Sequence, residues 1–100
     1  MTGVQTCALP ISSSAFGDFA TRGGLDVAQR ELISLVVIAA IGASAQLRPH
    51  VAGAIRAGSS RQKVAAALVQ VMPYIGGPYA LSGLVLVANY DENASSEAYR

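Results

Sequence analysis

Cysteine is almost absent from this chain, whose 100 residues include only Cys7. A single cysteine excludes an internal disulfide framework, a cysteine-based zinc cluster and a paired redox site. Tryptophan is missing and aromatic residues make up only 6% of the chain, whereas hydrophobic residues of all kinds make up 52%. This apolar content with so few aromatic residues predicts an all-α domain and not a β-sandwich.

Charge is also scarce, because charged residues make up 13% of the chain, the net charge is +1 and no basic run occurs. The sequence therefore has no electrostatic footprint for nucleic acid. The longest apolar segment, from Leu32 to Ile41, is too short to span a bilayer. We expect neither nucleic-acid nor membrane partners, and we expect the reducing compartment of the cytoplasm because the chain has no cysteine pair.

The first eleven residues, MTGVQTCALPI, match the translation of a sequencing-library adaptor at every codon. Such a segment does not belong to the natural protein and is not expected to contribute to its fold. It contains Cys7, the single cysteine of the chain. We therefore divide the chain into a non-native segment at 1–11, a helical domain at 12–90 and a polar tail at 91–100. The natural chain is expected to begin upstream.

The central helix of the domain is predicted from about Val27 to Ile41. Asp26 is a suitable N-cap, and Gln29 three residues later completes a capping box. Gly42 ends the helix. Because this helix is apolar almost all round, neighbouring helices or subunits must bury it.

Three further helices are predicted after Gly42, and the last of them is again apolar on most faces. A chain of 10.2 kDa has a small core, so we expect a homo-oligomer to cover the remaining apolar surface. Pro49 restricts the second helix to a start near Ala45 or later, or else to a kink at His50. The predicted helices run from about Ala45 to Ala57, from a cap at Ser59 or Ser60 past a kink at Pro73 to a stop at Gly76, and from Pro78 to about Tyr90.

Glu31 and His50 are the candidate catalytic residues. Glu31 leads an apolar stripe of the central helix, a position suited to general acid or base work. His50 lies on the next helix, and an antiparallel pair of helices would bring the two together near the 42–46 connection. Two simpler alternatives remain open, in which Glu31 complements the helix dipole and His50 has a structural role.

Arg30 and Arg48 flank these residues in sequence and are the candidate substrate-binding residues. A guanidinium group binds a substrate carboxylate through paired N–H donors. The alternative is that each is an ordinary surface arginine. With Cys7 excluded, the sequence offers no cysteine-based zinc cluster.

The residues around these candidates resemble the carboxymuconolactone decarboxylase family, which also includes alkylhydroperoxidase D-like proteins. The resemblance extends from Phe16 to about Ala88 and implies an all-α fold that assembles as trimers or hexamers. The supporting motifs are GDF and RGGLD within 17–26, RELI at 30–33, QLRPH at 46–50, AG at 57–58 and PYIGGPYAL at 73–81.

Redox members of that family place two cysteines between the glutamate and the histidine, at positions that correspond to Ala43 and Gln46 here. Because a peroxidatic cycle needs a thiolate, this replacement argues against a thiol peroxidase. The chain instead resembles the decarboxylase branch, which acts on a carboxylated lactone without metal or cofactor. The resemblance implies an acid, His50 or Glu31, that protonates the carbanion or enolate left by CO₂ loss.

Two functions therefore remain as expectations, a cofactor-free lyase of aromatic catabolism and a non-catalytic small-molecule-binding or accessory oligomer. A pocket formed by Glu31, His50 and an arginine would favour the lyase, whereas His50 sealed in apolar packing would favour the second function. The GDF and RGGLD motifs also resemble the second repeat of tandem members of the family, which predicts another copy upstream.

Overall fold

The computed structural model describes residues 22–91, which form four α-helices and no β-strand within that range. The predicted all-α fold is thus confirmed. The adaptor-like segment 1–11, the start of the predicted domain at 12–21 and the tail from residue 92 onward lie outside the described residues. The helices are α1 (Val27–Ala40), α2 (Ser44–Arg56), α3 (Arg61–Ile75) and α4 (Gly77–Ala88).

Side-chain caps fix the start of two helices. At α1, the Asp26 carboxylate accepts a hydrogen bond from the Gln29 backbone N–H at 2.7 Å, and the Asp26 N–H donates to the Gln29 side chain at 3.0 Å. This is the predicted capping box. At α3, the Ser60 hydroxyl accepts from the Lys63 N–H at 3.1 Å, so Ser60 and not Ser59 is the cap.

Glycine ends both α1 and α2 with the same backbone geometry. Gly42 and Gly58 have positive φ angles of 72° and 117°, which glycine adopts without strain. Each forms a Schellman motif, in which the N–H after the glycine bonds to the carbonyl five residues earlier. These bonds join Ala43 to Ile38 and Ser59 to Ala54, each at 3.1 Å.

Helix α2 begins at Ser44, one residue before the predicted start at Ala45. The helix then continues through Pro49. Proline removes one backbone hydrogen bond from a helix interior. Tertiary packing compensates, because Leu47 and Val51 on either side of the proline are almost completely buried. Helix α3 likewise continues through a proline, Pro73. It ends at Ile75, and Gly76 is its C-cap.

The core lies between all four helices, with α1 and α2 packed as an antiparallel hairpin and α3 packed against α4. Helix α4 packs tightly on α3 at Gly83, where a Cβ atom would lie 2.9 Å from Leu68 Cδ1. No helix in the described part of the chain is long and apolar enough to cross a membrane. The largest fully buried side chains are Leu35, Val51, Val64 and Leu68.

Apolar side chains remain exposed on α1 and α4. On α1 and its C-cap residue they recur every fourth residue, at Ile33, Val37 and Ile41, where the exposed fractions are 48%, 50% and 70%. On α4, Leu81 and Val85 are similarly exposed. Residues four apart share one face of a helix, so each helix presents an apolar face that the described chain does not cover.

Candidate functional site

Glu31 lies in the second turn of α1, half-buried, with its carboxylate against the backbone of α2. The contact is with Gly53, because a Cβ atom built on Gly53 would lie 2.9 Å from Glu31 Oε2 and 3.4 Å from its Cδ. We expected this site near the 42–46 connection. The structure instead places the Glu31 carboxylate further along the hairpin, since residues at increasing distance from the turn face each other in an antiparallel pair.

The position of Glu31 bears on the simpler alternative for this residue. Helix α1 starts at Val27, and no acidic residue occurs in its first turn. Because the dipole effect falls off within that turn, complementing the dipole does not account for Glu31. Within residues 22–91 the carboxylate makes no hydrogen bond and no ion pair. It can therefore contact a ligand without first breaking an interaction there.

His50 is half-buried on α2, and its ring is oriented by its own helix. The Nδ1 atom lies 2.9 Å from the backbone carbonyl oxygen of Gln46. Because a carbonyl oxygen only accepts, Nδ1 carries the hydrogen and donates it, which leaves the lone pair of the neutral ring on Nε2. Nε2 has no hydrogen bond to a residue of the described range. His50 is therefore oriented, and it is not sealed in the core.

Glu31 and His50 approach the same side of α2. Gly53, which the carboxylate contacts, lies three residues after His50, and residues three apart are neighbours on a helix surface. Their backbones are separated by about 4.5 Å along the axis. The two side chains form no direct ion pair. The two helices of the hairpin thus each place one titratable side chain on the same side of α2, the Glu31 carboxylate at Gly53 and the His50 ring near Gln46.

Arg30 is held at the beginning of α1. Its Nε donates to the Leu25 carbonyl at 3.0 Å, and its Nη2 donates to the carbonyls of Gly23, at 3.1 Å, and of Arg22. These bonds fasten the 22–25 turn to the helix. Substrate binding by Arg30 stays a prediction, and it would require part of this network to open.

Arg48 is exposed on α2, two residues before His50. A separation of two residues corresponds to about 200° around a helix, so Arg48 and His50 lie on nearly opposite faces. Within one chain the structure does not bring Arg48 to the Glu31 carboxylate. Its role as a carboxylate clamp also stays a prediction.

Two contributors to this site were missed in the sequence, the Gln46 carbonyl and Gly53. The carbonyl had no signal in the sequence, because any backbone group four residues before a histidine is a possible partner. Gly53 had a weak signal, since glycine inside a predicted helix often has a packing reason. In the described part of the chain no cluster of three or more His, Cys, Asp or Glu side chains is arranged to hold a metal ion.

Comparison with known proteins connects this geometry to a family. Residues 11–89 match the model of the carboxymuconolactone decarboxylase family. Since the match covers most of the chain, the protein belongs to the carboxymuconolactone decarboxylase family, as its motifs predicted. A comparison with curated proteins gave no significant match.

Proposed function

We propose that the protein is a cofactor-free carboxy-lyase that removes CO₂ from a carboxylated lactone, or a related small acid, in aromatic catabolism. The observation that carries this proposal is that the Glu31 carboxylate contacts α2 at Gly53, three residues after His50 and therefore on the same side of that helix. Neither the carboxylate nor His50 Nε2 has a partner among the described residues. Membership of the family supports the same reaction class.

The reaction needs an acid that adds a proton to carbon after CO₂ has left. When the bond to the carboxylate breaks, its electron pair passes into the adjacent carbonyl system as an enolate, and a proton must then be added to carbon. We assign that proton to Nε2 of protonated His50, which recovers it from solvent. The Glu31 carboxylate stabilises the protonated ring electrostatically. Arg30 and Arg48 remain the candidates for binding a substrate carboxylate.

The protein is further proposed to act in the cytoplasm as a homo-oligomer, a trimer or a hexamer. The exposed apolar faces of α1 and α4 support assembly, because a monomer would leave them in water. An apolar groove of about 560 Å³ between the start of α2 and helix α4 adds to this surface. It is lined by Ser44, Leu47, Pro78, Leu81, Ser82, Val85 and Leu86.

The test is CO₂ release from carboxymuconolactone by the purified protein and by matched variants. His50→Gln and Glu31→Gln should each lower turnover by ~10² to 10⁴, the usual contribution of a general acid or base. Arg48→Ala should act mainly on KM if Arg48 binds the substrate in the ground state. Gln62→Ala, an exposed change on α3, is the control and should leave turnover unchanged.

Thermal midpoints and light scattering show whether each variant keeps its fold and assembly. An active His50→Gln protein would contradict the proposed role of His50. Binding of carboxymuconolactone without any CO₂ release would contradict the lyase and favour the non-catalytic binding function.

A further inference from the structure

The backbone conformation at position 53 does not require glycine. Gly53 lies inside α2, and its φ is not among the positive values found at Gly24, Gly42, Gly58 and Gly76. Glycine in a helix interior is less stable than alanine because it loses more conformational freedom on folding. The cause of glycine at position 53 must therefore lie in its surroundings.

The three atoms nearest to a Cβ at position 53 all belong to the Glu31 carboxyl group. An added Cβ would lie 2.9 Å from Oε2, 3.4 Å from Cδ and 3.9 Å from Oε1. Real Cβ atoms do not approach an oxygen as closely as the first of these distances, so the carboxylate would have to move. Gly77 provides the contrast, since a Cβ there would meet nothing within 4 Å.

We propose that Gly53 is a positioning residue, whose missing side chain admits the Glu31 carboxylate to the face of α2 that carries His50. This inference rests on the proposed function for its catalytic meaning. Gly53 lies about one turn after His50 on α2. The space at Gly53 determines how closely the Glu31 carboxylate can approach the helix at that point. A side chain at this position would hold the carboxylate away from the reacting face while leaving both acid–base groups in the protein.

The catalytic arm of the test uses Gly53→Ala, with Gly77→Ala as the matched control. Gly53→Ala should lower kcat by roughly 10- to 100-fold, as expected for an acid–base group displaced by about 1 Å. KM should change little, and Gly77→Ala should keep wild-type kinetics. Full activity in Gly53→Ala would overturn the inference.

A second arm needs no substrate. In a Glu31→Ala background, Gly53→Ala should raise the thermal midpoint by roughly 4 to 8 °C, because the helix gains alanine without a clash. With Glu31 present, the same change should raise it less or lower it. Equal increments in the two backgrounds would show that Glu31 does not occupy the space at Gly53, and would overturn the inference.

His50 provides a spectroscopic readout because it is the only histidine in the sequence. Its ring NMR signals should shift in both Gly53→Ala and Glu31→Gln, and not in Gly77→Ala. Unchanged ring signals in Gly53→Ala would contradict the positioning role. Should the wild-type protein release no CO₂, the proposed lyase fails, while the thermal and NMR arms still decide whether Gly53 positions Glu31.

Discussion

At the end of the bundle where α2 leads into α3, two hydroxyl groups are buried without a hydrogen-bond partner among residues 22–91. The Ser59 Oγ and the Tyr90 hydroxyl make no hydrogen bond within the described part of the chain, although both residues are more than nine-tenths buried. The Tyr90 ring itself is held by Arg61, whose guanidinium carbon lies 5.5 Å from the ring centroid. A buried hydroxyl without a partner costs about 1 to 3 kcal/mol. These groups therefore weaken the fold where α3 begins and α4 ends.

Removing either hydroxyl should stabilise the protein. We expect Ser59→Ala to raise the free energy of unfolding by about 1 kcal/mol, and Tyr90→Phe to act in the same direction, as measured by urea denaturation. Ser82→Ala is the control, because the Ser82 hydroxyl donates to the Pro78 carbonyl at 3.0 Å and its removal should give no gain. A less stable Ser59→Ala protein would show that the hydroxyl has a partner after all.

At the residue scale, Glu31 and His50 could be named as candidates from the sequence because their types, their spacing and the family motifs point to the same reaction class. Their catalytic roles stay a prediction. The contact of Glu31 with Gly53 depends on the packing of two helices, and local patterns do not contain that information. Likewise, Arg30 was predicted to bind substrate from its charge alone, whereas its hydrogen bonds to the 22–25 turn arise from a chain path that propensities do not specify.

At the scale of the helix, the start of α1 is stabilised by one capping box between Asp26 and Gln29. Asp26→Ala removes the acceptor for the Gln29 N–H and should lower the free energy of unfolding by about 1 kcal/mol. Asp26→Asn keeps an acceptor oxygen and should retain most of that stability. Urea denaturation measures both variants, and an Asp26→Ala protein as stable as Asp26→Asn would contradict the importance of the cap.

Local chemistry explains why the helix starts and stops were predictable. Side-chain caps at Asp26 and Ser60 and left-handed glycines at Gly42 and Gly58 act within a few residues of chain. The ends without such a signal were less accurate: α2 begins at Ser44 without a side-chain cap, and α4 ends at Ala88, two residues before the predicted Tyr90. Those boundaries are decided by packing and by fraying, which vary over one or two residues.

At the scale of the whole molecule, the proposed assembly can be disrupted from the exposed face of α1. Val37 is the middle residue of the exposed apolar face formed by Ile33, Val37 and Ile41. Its side chain is half exposed in the single chain. Val37→Glu should convert the oligomer to smaller species, because a carboxylate buried in an interface without a partner is strongly unfavourable. Light scattering coupled to size exclusion measures this result.

The matched control is Gln70→Glu, which adds the same carboxylate to an exposed polar position of α3. It should leave the molecular mass unchanged. A wild-type protein that remains monomeric at micromolar concentration would contradict the proposed assembly itself. If instead the wild type is oligomeric and Val37→Glu does not alter its mass, the interface lies elsewhere, with the exposed face of α4 as the next candidate.

The turn at Gly42 has a consequence for the chemistry at the far end of the hairpin. Glu31 belongs to α1 and the His50 ring is fastened to α2, so the separation of carboxylate and imidazole depends on how far one helix has advanced past the other. Sliding by one residue displaces a side chain by about 1.5 Å and turns it by about 100°. Gly42 lies directly against α4, where a Cβ atom would come within 3.1 Å of the Tyr79 ring. Helix α4 therefore contacts the turn that sets the alignment of α1 with α2, although it contributes no group to the proposed acid–base pair.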